Sequence, residues 1–198
     1  MSAGRIVRQG ANEANPEQKS NIMRNLVISL LCLAWAAKLI AADAPSLNPH
    51  LEPLRPLLGK TWRGPFKNAK PDKPVVDMAR WERALNGQAV RLLHSINQGA
   101  YGGETIFVWD DKKQAVVFYY FTTAGYMTTG TMEVKGATII THEEVKGEAG
   151  GVSEVRGTSE ILPDGKFHVK AEYLKDGKWS LGHEVTYQED PQGEVVFK

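Results

Sequence analysis

From Trp62 onward apolar residues recur at every second position in short runs, and glycine, asparagine, aspartate and proline separate the runs. A period of two marks strands with one buried face, because successive side chains of an extended chain point to opposite sides. Ten such runs are predicted: Trp62–Phe66, Val75–Leu85, Gln88–Asn97, Glu104–Trp109, Gln114–Thr123, Tyr126–Val134, Ala137–Val145, Val152–Leu162, Phe167–Leu174 and Lys178–Glu189. β-branched and aromatic residues fill them, as a pleated surface favours. Asn86-Gly87 predicts a two-residue hairpin, since both positions tolerate positive φ. Asp110-Asp111-Lys112, Ala124-Gly125, Gly136, Pro163-Asp164-Gly165 and Asp176-Gly177 punctuate the later runs. No helical period separates the strands, so the fold class is all-β. A meander of this length hides its edges best by closing. The expectation is an antiparallel up-and-down β-barrel of about ten strands, with an open two-sheet sandwich as the competitor.

The alternation also assigns faces. On the last run Trp179, Leu181, His183, Val185 and Tyr187 share one side. On the run before it Phe167, Val169, Ala171 and Tyr173 form the apolar side. Between Gln88 and Asn97 the apolar set is Val90, Leu92, His94 and Ile96, which turns Arg91 outward. Val75, Ala79, Trp81 and Leu85 oppose Arg80. An inward Arg80 would give the lumen a two-point clamp for a ligand carboxylate. Ala115–Phe121 is apolar on both faces and needs a cover. Leu47–Leu58, with Leu51, Leu54, Leu57 and Leu58, is the candidate; Pro49, Pro53 and Pro56 forbid a regular helix there. A turn or 3₁₀ segment across one barrel end is expected. Gly59 would then turn the chain sharply into the sheet, and Trp62 would plug the floor.

Upstream, Met23-Arg24-Asn25 precedes an apolar stretch of twelve residues, Leu26–Ala37, interrupted only by Ser29, then Lys38 and the small pair Ala41-Ala42. A basic start, a short apolar stretch and small residues at its end make a secretory signal peptide. The stretch is shorter than the ~20 residues of a membrane span. The expected organisation is therefore 1–22 as a disordered or mis-started leader, 23–42 as signal peptide and 43–198 as the barrel, placed in the periplasm or secreted. Cys32, the single cysteine, falls within the signal segment and allows no internal disulfide.

The 198 residues are 42% apolar and 24% charged, with a formal net charge of +1. Beyond Ala42 stand 19 basic and 21 acidic residues, a charge of −2. No basic stripe offers itself to nucleic acid, which needs clustered cations to displace counterions. The mature chain carries no expected membrane span. Hydrolase elbows, zinc-helix motifs and phosphate loops are absent from the sequence, so no catalytic residue is assigned and an enzyme is disfavoured. His142-Glu143-Glu144 reads as a solvated charged strand end, because neighbours on a strand cannot close on one metal ion. Tyr119 or Tyr120, with Tyr126, are candidate pocket-lining residues whose apolar rings carry polar tips.

Leu51–Phe66, Trp81–Val90 and Tyr101–Gln114 read LEPLRPLLGKTWRGPF, WERALNGQAV and YGGETIFVWDDKKQ. These segments resemble a bacterial family of exported lipocalin-like domains of unknown function. The glycine-to-tryptophan entry is similar to that of the calycins, the lipocalins and fatty-acid-binding proteins. The resemblance implies a barrel able to hold a small apolar molecule, and no catalytic residues. The head segment also resembles the nitrobindin-type ten-stranded haem barrels, which hold iron through one late-strand histidine. Here that implies His183 as the haem ligand. Three functions are thus open: a binding module for a small hydrophobic or amphiphilic molecule, a haem protein, or an envelope scaffold with a packed barrel. Ligand-binding candidates are Trp62, Arg80, Trp81, Tyr119, Tyr126, Tyr173, His183 and Tyr187; no metal site is expected.

Overall fold

Each strand pairs antiparallel with its neighbours in sequence, and the last pairs with the first. The computed structural model describes residues 46–198; the two upstream segments, 1–22 and 23–42, lie outside the described residues. The strands are β1 Thr61–Pro65, β2 Val76–Ala84, β3 Ala89–Ile96, β4 Tyr101–Asp110, β5 Ala115–Thr122, β6 Met127–Lys135, β7 Thr138–Lys146, β8 Val152–Ile161, β9 Phe167–Lys175 and β10 Lys178–Glu189. Trp62 opposite Glu189 and Arg63 opposite Gln188 close the barrel between β1 and β10. The open sandwich is thereby excluded: every strand has two partners and no edge remains.

One end of the barrel is shut by a 3₁₀ segment, Pro49–Leu57. Asn48 caps it by accepting from the His50 amide at 3.1 Å, and the prolines keep it from tightening into an α-helix. Leu51, Leu54 and Leu57 are fully buried against Trp62, Trp81 and Phe107. Gly59 (φ 73°) then reverses the chain into β1, where only glycine adopts that backbone without strain. Trp62 lies on the floor with its indole Nε1 donating to the Leu57 carbonyl at 3.3 Å.

Three local features depart from the sequence pattern. The β2–β3 connection is not a two-residue hairpin: Leu85, Asn86 and Gly87 all take positive φ in a short 3₁₀ turn. The turn is held from outside, because Asn48 N donates to Gly87 O at 2.8 Å and Arg83 Nε donates to Ser46 O at 2.5 Å. β4 begins at Tyr101, three residues earlier than expected, and takes Gly102 and Gly103 into the sheet.

The third departure lies on β10, where pairing with β9 slips between Leu181 and His183. Before the slip, Trp179 and Leu181 sit opposite Leu174 and Glu172 on the outer face, 37% and 48% exposed. After it, His183 faces Ala171 and joins Val185 and Tyr187 inside. The five-residue face expected for β10 is therefore two faces joined by a bulge at Gly182, since one extra residue inverts the alternation. Outside, Trp179 is covered by the Arg156 guanidinium, 4.4 Å from its ring. After β10, the Asp190 amide donates to Thr61 O at 2.8 Å and Val196 N to Ser95 Oγ at 3.0 Å, which lays the C-terminal tail over the outer face.

The expected cover for Ala115–Phe121 also works differently. The cap closes the barrel end and does not shield the outer side of β5, where Tyr119 and Phe121 stay 41% and 50% exposed.

Candidate functional site

The barrel encloses a lumen of about 390 Å³. Its floor is aromatic. Trp81 stacks with Phe107 at 5.6 Å between centroids and meets Phe167 edge-on at 6.1 Å, while Phe107 packs on Phe118 at 5.3 Å. Leu54 of the cap closes the space from below.

The opposite half is polar, and its groups form one connected chain. Asp77, at the start of β2 and 4% exposed, accepts from Tyr187 Oη at 2.6 Å and pairs with His94 Nδ1 at 3.0 Å. His94 Nε2 lies 2.7 Å from Tyr120 Oη, which lies 2.9 Å from Tyr101 Oη, which lies 2.7 Å from Tyr126 Oη. With Asp77 accepting on both oxygens, His94 carries a proton on Nδ1, and in the tautomer with that proton alone Nε2 accepts from Tyr120. Each phenol can then donate inward along the chain, so the Tyr126 oxygen is left as an acceptor at the rim. Burial raises the Tyr101 and Tyr120 phenols well above the usual range. Burial raises Tyr187 too, and the neighbouring Asp77 charge adds to it. All three stay neutral donors at physiological pH.

A second group lines the same lumen. Tyr173 Oη is 2.8 Å from His183 Nδ1, and the His183 ring stacks on Phe66 at 5.0 Å. Burial lowers the His183 pKa, with the Asp77 charge opposing, so the imidazole is neutral at pH 7. Its Nε2 has no hydrogen-bond partner among the described residues. Burial pushes the Tyr173 phenol up to about 12, with the charges of Tyr126 and Glu143 adding to it. Glu143 enters from β7 and accepts from Thr128 Oγ1 at 2.8 Å; burial raises its carboxyl pKa, against that hydrogen bond.

Small residues make room for the rings. Gly103 lies in-strand beside Tyr120, and a Cβ there would overlap the Tyr120 ring and the Phe121 carbonyl; Gly182 has the same relation to the Tyr173 ring. The loop after β7 bends over this end, with Ala149 lining the lumen and Lys175 Nζ holding Gly150 O at 2.6 Å.

Of the sequence candidates, Trp81, Tyr126, Tyr173, His183 and Tyr187 line the lumen. Trp62 lies beneath it as part of the floor. Arg80 and Tyr119 do not reach it. Odd positions of β2 face inward, so Arg80 points out and pairs with Glu82 at 2.8 Å, and Glu82 also binds Arg91. On β5 the even positions face inward, which places Tyr120 inside and Tyr119 outside. Glu143 is a correction as well: the solvated strand end contains His142 and Glu144, whereas Glu143 faces the lumen with Ile139 and Thr141. Sequence reasoning missed Asp77, Tyr101 and Glu143; five of the six tyrosines turn out to line one space.

No protein-family model and no curated protein matches this chain. It has a similar solved structure. The crystal structure of Rv2717c from M. tuberculosis is 17% identical, with a TM-score of 0.49, over 75% of this chain and 100% of that one. Among the described residues no three His, Cys, Asp or Glu side chains gather to hold a metal ion, and no helix is long and apolar enough to cross a membrane.

Proposed function

We propose that this chain is an exported, lipocalin-like binding module that holds one small amphiphilic molecule in its barrel and performs no chemistry on it. The observation that carries the reading is the lumen itself. About 390 Å³ of space has an aromatic floor and a hydrogen-bonding upper half, within the ~300–1,000 Å³ typical of small-molecule sites. A scaffold with a packed barrel would fill that space with its own side chains. Export is supported by the basic start, the short apolar stretch and Ala41-Ala42.

Ala79 tests the reading because it lines the lumen between Asp77 and Trp81 and is 4% exposed. Ala79→Phe puts a ring into the cavity. Native mass spectrometry of the purified chain should show a bound small molecule, and the variant should lose it with its β circular dichroism unchanged. A wild-type chain of bare mass that also fails to take up any alkyl amphiphile would sink the proposal.

A second reading rests on His183. A neutral imidazole with Nε2 open to the lumen and Nδ1 held by Tyr173 suits an iron ligand, since a fixed Nδ1 partner orients the ring. His183 would hold haem, with Tyr173 behind it and Phe66 against the ring; haem would supply a redox-active iron able to bind nitrogen oxides or peroxide. The fit ends there, because neither lysine nor arginine lines the lumen to meet the propionates. On this second reading, titration with haem would give a Soret band that His183→Ala abolishes; no band, or a band surviving the substitution, removes His183 as the ligand.

A further inference from the structure

Among the described residues Glu143 is the one lumen carboxyl with no ion pair and no cationic group beside it. Asp77 is already held by Tyr187 and His94. Glu143 has a single hydroxyl donor, Thr128, and no ion pair. Every lysine and arginine of the described chain stays out of the lumen. A half-buried carboxyl with no cation beside it holds its proton to higher pH than usual, and a cation bound next to it would favour the charged form.

The surroundings say what that would be. Glu143 sits opposite Val155 on β8, and Val155 sits opposite Tyr173 on β9, so carboxylate and phenol share a row across the sheet. Tyr101 and Tyr126 meet through their hydroxyls at 2.7 Å, and both line the same lumen as Tyr173 and Glu143. Aromatic faces attract a cation through their ring quadrupole, more strongly where water is excluded. Beneath them lies the apolar floor of Trp81, Phe107 and Phe167.

We propose that the lumen is built for a small organic cation, a charged ammonium head on an apolar body. Glu143 is its counter-ion, and Tyr101, Tyr126 and Tyr173 wall the head. The inference rests on the reading of the lumen as a binding site and narrows its occupant. A carboxylate-headed lipid is the wrong charge for this interior, because Arg80 and Arg91 both spend their guanidinium groups on Glu82 outside the barrel.

The test uses three probes with one tail: decylamine, decanol and decanoate, titrated calorimetrically into the purified full chain at neutral pH below their micelle concentrations. Decylamine should bind about tenfold or more tighter than decanol, the scale of one desolvated ion pair with an aromatic contact, and decanoate should be weakest. Glu143→Gln keeps the side-chain shape and should reduce the amine preference to within about threefold while leaving decanol unmoved. The variant also removes a carboxylate whose ionisation burial opposes, so its melting temperature at neutral pH should not fall below that of the parent. Decanol matching decylamine, decanoate binding tightest, or a preference that survives Glu143→Gln each overturns the cation while the amphiphile site stands. Binding of none of the three overturns both.

Discussion

Asp77→Ala should cost about 3 kcal/mol of stability, since it removes two hydrogen bonds to a buried carboxylate, each worth ~1.5 kcal/mol or more. The loss comes from what stays behind. Tyr187 Oη and His94 Nδ1 both point at Asp77, and alanine leaves two buried donors without an acceptor. Removing the carboxylate also removes its own desolvation cost, which works the other way. The first effect wins because Asp77 ties β2 to β10 and β3, and a methyl group cannot draw either ring closer. Tyr187→Phe is the informative companion. It removes one donor and leaves Asp77 with His94, so it should cost about 1 kcal/mol. Urea denaturation followed by far-ultraviolet circular dichroism measures both. A loss under about 1 kcal/mol for Asp77→Ala would mean that water replaces the carboxylate and that the network does not hold the strands. Ligand affinity gives a second readout: without Asp77 the His94 tautomer is no longer fixed, and the phenol chain to Tyr126 loses its direction.

Much of the barrel is legible in the residues because its signals are local. Turn glycines and period-two runs give ten strands; hairpin-length connections give neighbour pairing; three prolines beside buried leucines give a 3₁₀ cap. Tyr173 and Tyr187 fall on the inner side because β9 and the later half of β10 alternate regularly. What the pattern misses is missed for physical reasons. A phase carries along a strand only while pairing is regular, and the slip at Gly182 puts Trp179 and Leu181 outside although they match His183 in spacing. Gly102-Gly103 resembles a turn, but the pair is in-strand so that the Tyr120 ring can lie over Gly103, and this hides Tyr101. Glu143 is concealed by its flanking charges, His142 and Glu144, which are exposed. Arg80 is ambiguous by composition alone, and its partner Glu82 decides it only when the strand is seen. The contact that fixes Asp77 spans 110 positions in the chain, and no local pattern reports such a pair.

Trp62→Ala should be the most damaging single truncation, at about 4 kcal/mol, the range for buried large aromatics. Trp62 is 2% exposed and touches two systems at once. Its ring lies 6.3 Å from Phe167 of the lumen floor, and its Nε1 donates to Leu57 at the end of the cap. Alanine leaves a cavity between cap and barrel and frees the Leu57 carbonyl, and the neighbouring cap prolines restrict how far that segment can settle into the gap. The floor should therefore loosen before the strands part, and ligand affinity should fall even where the barrel is still folded. Trp179→Ala separates this from a general tryptophan effect. That ring is 37% exposed and covered by Arg156, so its loss should cost about 1 kcal/mol and leave binding unchanged. Urea midpoints for the two variants, read beside the affinity of each for one alkyl probe, decide the matter. If Trp62→Ala and Trp179→Ala prove equally mild, the cap is held by its leucines alone and Trp62 is filler at the barrel floor.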